Sequence, residues 1–172
     1  MKCVVWSMII LEKGKTIKIC DDVISTLFKY RQIEQTSCEA GGVLIGRENL
    51  DNDNLIIEYA TVPMRNDRRT RTRFFREDKG HIDYYNKLFE NYGGIYLYVG
   101  EWHTHPEEYP RYSIIDVANW RGISKKLPKN VKQFHIIVGN KALRVWEFSR
   151  GSSGAKEIAT YDWSDYIDGK EN

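Results

Sequence analysis

The chain has 172 residues, of which 41% are hydrophobic and 13% aromatic, and this length and composition predict one globular domain with a substantial core. The formal net charge is only +2, so we expect neither nucleic acid nor a membrane surface as a partner. The cysteines Cys3, Cys20 and Cys38 lack the spacing of a disulfide framework, which indicates a reducing, cytoplasmic environment.

The first third of the chain is predicted to hold strands with one helix between them. Residues 2–11 and 15–20 read as strands, and the first run is too short to cross a bilayer and lacks a small-residue cleavage site. A helix is expected from Asp21 to about Gln35, because its apolar residues recur at helical spacing. Residues 42–47 and 55–62 are predicted to pair as a hairpin across a polar loop.

The second half of the chain is predicted to alternate helices and strands. An amphipathic helix over residues 80–92 is ended by two glycines, and a strand follows over residues 95–105. The next helix is expected over residues 113–125. The last hairpin would pair residues 133–138 with residues 142–148.

These elements predict an α/β fold with a central mixed β-sheet flanked by helices. Residues 1–149 would form the main part of one domain. Residues 150–172 would be a C-terminal linker, rich in Gly and Ser at its start, followed by an edge strand of the same domain at residues 157–163.

Two histidines, His103 and His105, are two positions apart near the end of a predicted strand. Side chains alternate along a strand, so both imidazoles are expected on one face. Asp116 adds a carboxylate at the start of the following helix. Two imidazoles and one carboxylate are the three-ligand set of a hydrolytic zinc site, in which the fourth ligand is a water whose pKa falls to about 7.

Each half of this pattern also has an ordinary structural explanation. Ser113-x-x-Asp116 is a helix capping box, and a His-x-His pair on a strand is often just a pair of partly buried side chains. The explanations are compatible, because Ser113 can cap the helix while Asp116 faces the histidines. Other zinc patterns are excluded, since the sequence has no His-Glu-x-x-His, no Pro-Cys-x-x-Cys and no cluster of four cysteines.

Glu39 lies just before the stretch Gly41–Gly46, which reads G-G-V-L-I-G. Alone, a glutamate before a Gly-Gly pair would favour a solvated loop residue. Together with the spacing H-x-H-x7-S-x-x-D, however, it resembles the signature of the JAMM metallopeptidases of the JAB/MPN family, and the resemblance covers residues 39–146.

The resemblance implies a single JAB/MPN domain of cytidine-deaminase-like architecture that hydrolyses a peptide or isopeptide bond. By this resemblance, His103, His105 and Asp116 would hold Zn²⁺. Glu39 would be the general base, and Ser113 would stabilise the oxyanion with its hydroxyl group.

Residues 98–107, which read Y-V-G-E-W-H-T-H-P-E, are most similar to bacterial JAB peptidases of antiviral operons, including CBASS and ubiquitin-like systems. The similarity implies a substrate conjugated through the C-terminal tail of a ubiquitin-like or CD-NTase-type protein, with E1- and E2-like operon partners. Two alternatives remain open. One is a JAB peptidase that processes a small sulfur-carrier protein, and the other is a catalytically silent JAB binding module.

The segment Arg65–Arg76 contains six arginines in a chain whose charges are otherwise nearly balanced. A solvated loop is one interpretation, and nucleic-acid binding has little support without a basic helix or a stacking sheet. In JAMM peptidases this region borders the substrate groove. Arg69, Arg71 and Arg73 are therefore predicted to bind substrate, through an acidic face or the C-terminal tail of a modifier protein.

Overall fold

The computed structural model describes residues 7–52 and 54–171, and in this part of the chain it contains ten strands and four helices. In chain order they are β1 (Ser7–Glu12), β2 (Lys15–Cys20), α1 (Asp21–Lys29), β3 (Gly41–Glu48), β4 (Leu55–Ala60), β5 (Arg68–Thr70), β6 (Arg73–Phe75), α2 (Gly80–Asn91), β7 (Leu97–Thr104), α3 (Ile114–Ser124), β8 (Lys132–Val138), β9 (Ala142–Ser149), β10 (Lys156–Asp162) and α4 (Trp163–Glu171).

Eight of these strands form one sheet in the order β1-β2-β4-β3-β7-β8-β9-β10. The pairs β2–β4 and β7–β8 are parallel, and the other neighbours are antiparallel. The predicted α/β fold with a central mixed sheet is therefore confirmed. The two remaining strands, β5 and β6, form a separate antiparallel hairpin.

Helices α1, α3 and α4 each bury apolar side chains against a face of this sheet, whereas the one buried residue of α2 is His81. On one face, Leu27 of α1 and Trp163 of α4 belong to the main core, together with Trp102 of β7. On the other face, Trp120 of α3 packs in a smaller cluster with Ile137 of β8. Since neighbouring residues of a strand point to opposite faces, the residue after Trp102 faces α3.

The two edges of the sheet approach each other. The Tyr161 hydroxyl of β10 donates a hydrogen bond of 2.8 Å to the backbone carbonyl of Ile9 in β1. Lys156 forms an ion pair with Glu12 across the same gap. The sheet is therefore strongly curved, as the right-handed twist of strands favours.

The first helix is shorter than predicted, since α1 ends at Lys29 instead of near Gln35. The residues after it make tertiary contacts that a continued helix would not allow. The Arg31 guanidinium donates to the Asn140 carbonyl over 3.3 Å, and Gln32, with 1% of its surface exposed, donates to the Arg71 carbonyl over 2.8 Å. Residues 2–6 of the first predicted strand lie outside the described residues.

The C-terminal region contains the predicted edge strand, at Lys156–Asp162, and also a helix that the sequence analysis missed. Helix α4 is short and contains Gly169, so its local signal is weak. It is stabilised by tertiary packing, because buried Trp163 donates from its indole nitrogen to the Gly139 carbonyl over 2.9 Å. The division of the chain at residue 149 stays a prediction.

Candidate metal centre and active site

The two histidines of the signature face each other at the C-terminal end of β7. The Nε2 atoms of His103 and His105 are 3.0 Å apart. The alternation of side chains along the strand places both on the α3 side of the sheet, while Thr104 between them points to the opposite side. His105 is buried, and its Nδ1 atom has no hydrogen-bond partner among the described residues.

Asp116 reaches the histidines from the first turn of α3. Its Oδ1 atom lies 3.2 Å from Nε2 of His103, and its Oδ2 atom lies 3.5 Å from Nε2 of His105. Burial raises the pKa of Asp116, but the hydrogen bonds from His103 and the Ser113 N–H, together with the charges of His103 and His105, outweigh this effect and hold the pKa well below its usual range. Asp116 is therefore an ionised carboxylate directed at two imidazoles.

These three side chains fit a zinc ion. Their ligand atoms all lie within 4.8 Å of one another. In a tetrahedral site with Zn–N distances of about 2.0–2.1 Å, two ligand nitrogens stand about 3.3 Å apart, close to the 3.0 Å found between the imidazoles. Two nitrogens and one oxygen are also a common set of ligands in hydrolytic zinc enzymes, where a fourth position stays open.

The same aspartate also caps its own helix, as the sequence analysis allowed. The Ser113 backbone N–H donates to Oδ2 of Asp116 over 2.6 Å, and the Ser113 hydroxyl accepts from the Asp116 N–H over 3.2 Å. This capping box fixes the first turn of α3 and directs the Asp116 side chain. Helix capping and metal binding by the motif are therefore compatible in this structure.

Glu39 is buried beside this cluster, with 5% of its surface exposed. Its Oε1 atom lies 4.0 Å from Nε2 of His105, and Glu39 is not part of the group of three side chains whose ligand atoms converge. One water molecule can bridge a gap of this size. Burial raises the pKa of Glu39 to about 7, although the charge of His103 and the Phe74 backbone N–H lower it in part. A carboxylate with such a pKa can take up and release a proton near neutral pH.

The glycine that starts β3 permits this arrangement. A Cβ atom at Gly41 would lie 2.7 Å from the backbone oxygen of Trp102 and would also collide with the ring of Phe74. Without a side chain at Gly41, β3 can lie close to β7, and the β5–β6 hairpin can lie against the strand that follows Glu39. Close approach of two backbones is a common reason for glycine within a strand.

A groove of about 700 Å³ opens over the cluster. One wall is formed by residues 72–77 of the hairpin and the segment after it. The other is formed by α3 from Ile115 onwards and by Lys126 just after it. Glu39, His103, His105, Ser113 and Asp116 all line this groove. The structure therefore brings together every signature residue that the sequence analysis singled out.

The three arginines predicted to bind substrate are in different environments. Arg73 lines the groove. Arg69 donates to the backbone carbonyls of Glu39 and Cys38, and Arg71 donates to the carbonyls of Glu34 and Gln35. Substrate binding by these residues stays a prediction, with Arg73 in the most favourable position.

Two polar contacts, one in the groove and one buried behind it, had no recognisable signal in the sequence. Arg76 pairs with Glu101, from Nη2 to Oε1 over 2.8 Å, and both side chains line the groove. Buried His135 stacks on Trp120 of α3 with ring centroids 4.4 Å apart, and its Nδ1 atom accepts from the Glu101 backbone N–H over 3.1 Å. Neither contact is local in sequence, so no spacing rule would have found it.

Comparison with known protein families agrees with this geometry. The model of the prokaryotic homologues of the JAB domain matches residues 28–149, which include the whole signature. The chain belongs to this prokaryotic JAB family. The group of His103, His105 and Asp116 in this JAB protein is a candidate metal site consistent with a JAMM peptidase.

Similar proteins are known from several bacteria. The JAB protein is 38% identical over 126 residues to a CD-NTase/cGAS isopeptidase of Escherichia coli (strain TW11681), covering 73% of this chain and 77% of that protein. It is 34% identical over 130 residues to a CD-NTase/cGAS isopeptidase of Vibrio cholerae serotype O1, covering 76% of this chain and 80% of that protein.

A solved structure supports the fold. The solution structure of a protein from Desulfitobacterium hafniense matches with a TM-score of 0.55 at 19% identity, covering 81% of this chain and 87% of that chain.

Among the described residues of the JAB protein, none of the helices has both the length and the apolar content needed to cross a membrane.

Proposed function

We propose that this JAB protein is a zinc-dependent isopeptidase that hydrolyses the bond after the C-terminus of a conjugated CD-NTase-type or ubiquitin-like protein, in bacterial antiviral defence. The observation that carries the proposal is the convergence of His103, His105 and Asp116 on one point, with Glu39 at 4.0 Å from the nearest imidazole nitrogen. The names of the relatives in E. coli and V. cholerae support the substrate class.

Zinc held by His103, His105 and Asp116 would supply a Lewis acid and lower the pKa of a bound water. The remaining chemistry belongs to the side chains around the metal. Glu39 accepts the proton of the attacking water and then delivers it to the leaving amine.

Ser113 would stabilise the oxyanion. Its hydroxyl oxygen accepts a hydrogen bond from the Asp116 N–H, so the hydroxyl hydrogen remains available for the developing charge on the scissile carbonyl. Because Ser113 is the N-cap of α3, its position relative to Asp116 is fixed by the helix.

The groove between β6 and α3 would receive the C-terminal tail as an extended chain. Among the residues that the structure describes, β6 pairs with no strand other than β5, so its other edge would form main-chain hydrogen bonds with a peptide. Arg73 lines this groove and would bind a carboxylate of the tail or of the folded part of the substrate, and we keep Arg69 and Arg71 as further proposed contacts.

The partners follow from the proposed substrate. E1- and E2-like proteins would form the conjugate that this enzyme cleaves, and neither nucleic acid nor a membrane is part of the proposed reaction. A cytoplasmic location is proposed because Cys20 and Cys38 are free thiols, as a reducing compartment would keep them.

The test is cleavage of a purified conjugate in which the C-terminus of a CD-NTase is linked to a lysine of a target protein. We expect zinc-loaded protein to release both parts, and a metal chelator or Glu39→Gln to abolish release. A sulfur-carrier fusion serves as the comparison substrate. Faster cleavage of the sulfur-carrier fusion, or cleavage of neither substrate, would refute the proposed substrate class.

A further inference from the structure

Behind the catalytic strand, on the side of the sheet away from the metal ligands, lies a buried polar network centred on Gln32. Gln32 and Thr104 have 1% and 0% of their surfaces exposed. The Thr104 hydroxyl donates to Oε1 of Gln32 over 2.9 Å. The Gln32 amide nitrogen donates to the backbone carbonyls of Ser37 at 3.0 Å and Arg71 at 2.8 Å.

Thr104 connects this network to the base. Its hydroxyl oxygen accepts from the backbone N–H of Ala40 over 3.0 Å, and its own N–H donates to the Ala40 carbonyl over 2.8 Å. Thr104 lies between His103 and His105, and Ala40 directly follows Glu39. One hydroxyl group therefore joins the strand that carries two metal ligands to the segment that carries the base.

Gln32 connects two further segments to Thr104. Its two N–H groups hold the loop before Glu39, through Ser37, and the turn of the β5–β6 hairpin, through Arg71. A buried amide with all of these bonds formed is strongly held, since each lost partner would leave an unsatisfied polar group away from water. The loop, the hairpin and β7 are thus tied to one side chain.

We propose that Gln32 is a positioning residue that, acting through Thr104, sets the Glu39 carboxylate at its distance from the His105 nitrogen. The inference rests on the proposed function for its catalytic consequence, but the geometric consequence is independent of it. Gln32 itself does not reach the groove, so it acts only through its neighbours. Displacing a catalytic group by about 1 Å can lower the rate about 10²-fold.

The experiment compares isosteric variants. Gln32→Met and Thr104→Val remove the network with little change in volume, and Thr104→Ser keeps the hydroxyl. Thr61→Val is the matched control, because buried Thr61 also accepts a backbone N–H, that of Val43 at 2.8 Å, and also contacts a polar side chain, His81. We expect Gln32→Met and Thr104→Val to lower kcat about 10²-fold with KM and zinc content near wild type.

Thr104→Ser should recover most of the lost kcat, and Thr61→Val should lower the melting temperature while kcat stays near wild type. The double variant Gln32→Met/Thr104→Val should lose no more kcat than either single variant, because both remove one network. Equal losses of kcat in Thr61→Val and Thr104→Val would reduce Gln32 and Thr104 to a structural role and overturn the proposal.

A structural readout separates this inference from the proposed function. Crystal structures of zinc-loaded wild type and Thr104→Val should show the Glu39 carboxylate displaced relative to His105 in the variant. An unchanged Glu39 position would overturn the inference, whether or not a conjugate is cleaved. A displaced Glu39 in a protein that cleaves no conjugate would support the inference and refute the proposed function alone.

Discussion

The Arg69 guanidinium donates a hydrogen bond of 2.7 Å from Nε to the backbone carbonyl of Glu39. The Glu39 N–H in turn donates to the carbonyl of Thr70 over 2.7 Å. The hairpin formed by β5 and β6 therefore hydrogen-bonds both the backbone N–H and the backbone carbonyl of Glu39, the proposed base. A segment that looks like a solvated charge run in the sequence is part of the support of the active site.

The arginines of this segment are expected to differ in their kinetic roles. Arg69→Ala should lower kcat, because Glu39 loses a main-chain contact, whereas Arg73→Ala should raise KM with kcat little changed. Only the KM effect should shrink as salt rises, since screening weakens exposed charge contacts. Steady-state kinetics of conjugate cleavage at two salt concentrations measure both effects.

Arg68→Ala is the control for both variants. Its guanidinium is exposed and forms two hydrogen bonds with Glu77, at 2.8 and 2.6 Å, and such surface pairs contribute little to stability. Equal behaviour of the Arg68, Arg69 and Arg73 variants would contradict a specific role for any of these arginines.

The metal site is tested by zinc content. His103→Ala, His105→Ala and Asp116→Ala should each lose most of the bound zinc, because each removes one of the three converging ligand atoms. Elemental analysis of the purified proteins measures this loss. Glu39→Gln is the control and should keep about one zinc per chain, since its carboxylate lies outside the ligand set. Undiminished zinc in His103→Ala would show that the ligand assignment is incorrect.

The base is tested by turnover at constant metal content. Glu39→Gln should reduce cleavage by about 10²–10⁴-fold, the usual range for removal of a general base. The variant should still bind the conjugate, so a pull-down with it should retain uncleaved substrate. Wild-type turnover by Glu39→Gln would mean that another group transfers the proton.

Ser113 offers a way to separate helix capping from catalysis. Ser113→Ala should cost about 1 kcal/mol of folding free energy because it removes the N-cap, whereas Ser113→Gly should cost only a few tenths. Both variants remove the hydroxyl and should lower kcat by about 10²–10³-fold. Urea unfolding and turnover measured on the same samples distinguish the two effects. A kcat that follows stability across the two variants would argue against the oxyanion role.

His135 gives a prediction about pH and stability. Burial lowers its pKa to about 3, with a further contribution from the charge of His103, so the folded protein keeps this imidazole neutral. The unfolded chain binds a proton near pH 6.5, so the folding stability due to His135 is present above pH 6.5 and is lost as pH falls towards 3. Between pH 7 and pH 5 this loss amounts to about 2 kcal/mol.

The comparison variant is His135→Phe, which keeps a ring against Trp120 but cannot titrate. Urea unfolding measures how far the free energy of unfolding falls from pH 7 to pH 5. This fall should be about 2 kcal/mol smaller in the variant than in wild type. Parallel pH dependence of the two proteins would show that folding does not lower the pKa of His135.

The sequence predicted the metal ligands because chemistry restricts their types and a strand and a helix restrict their spacing. It also predicted the mixed sheet, because short apolar runs between turn residues mark its strands. Gln32 was missed because its partner Thr104 lies 72 positions away and a single buried amide has no local signature. The end of α1 was placed too late for the same reason, since contacts of Arg31 and Gln32 with distant parts of the chain determine it.

The contact between the two edges of the sheet affects self-association. Strand β1 carries exposed Ile9 and Leu11, with 60% and 73% of their surfaces accessible, and an apolar edge of this kind can recruit further copies of a chain into fibres. Here the Ile9 carbonyl is already occupied by Tyr161, and the charges of Lys156 and Glu12 lie beside it. Curvature thus protects this edge from aggregation, while the edge of β6 at the groove stays accessible to an extended substrate chain.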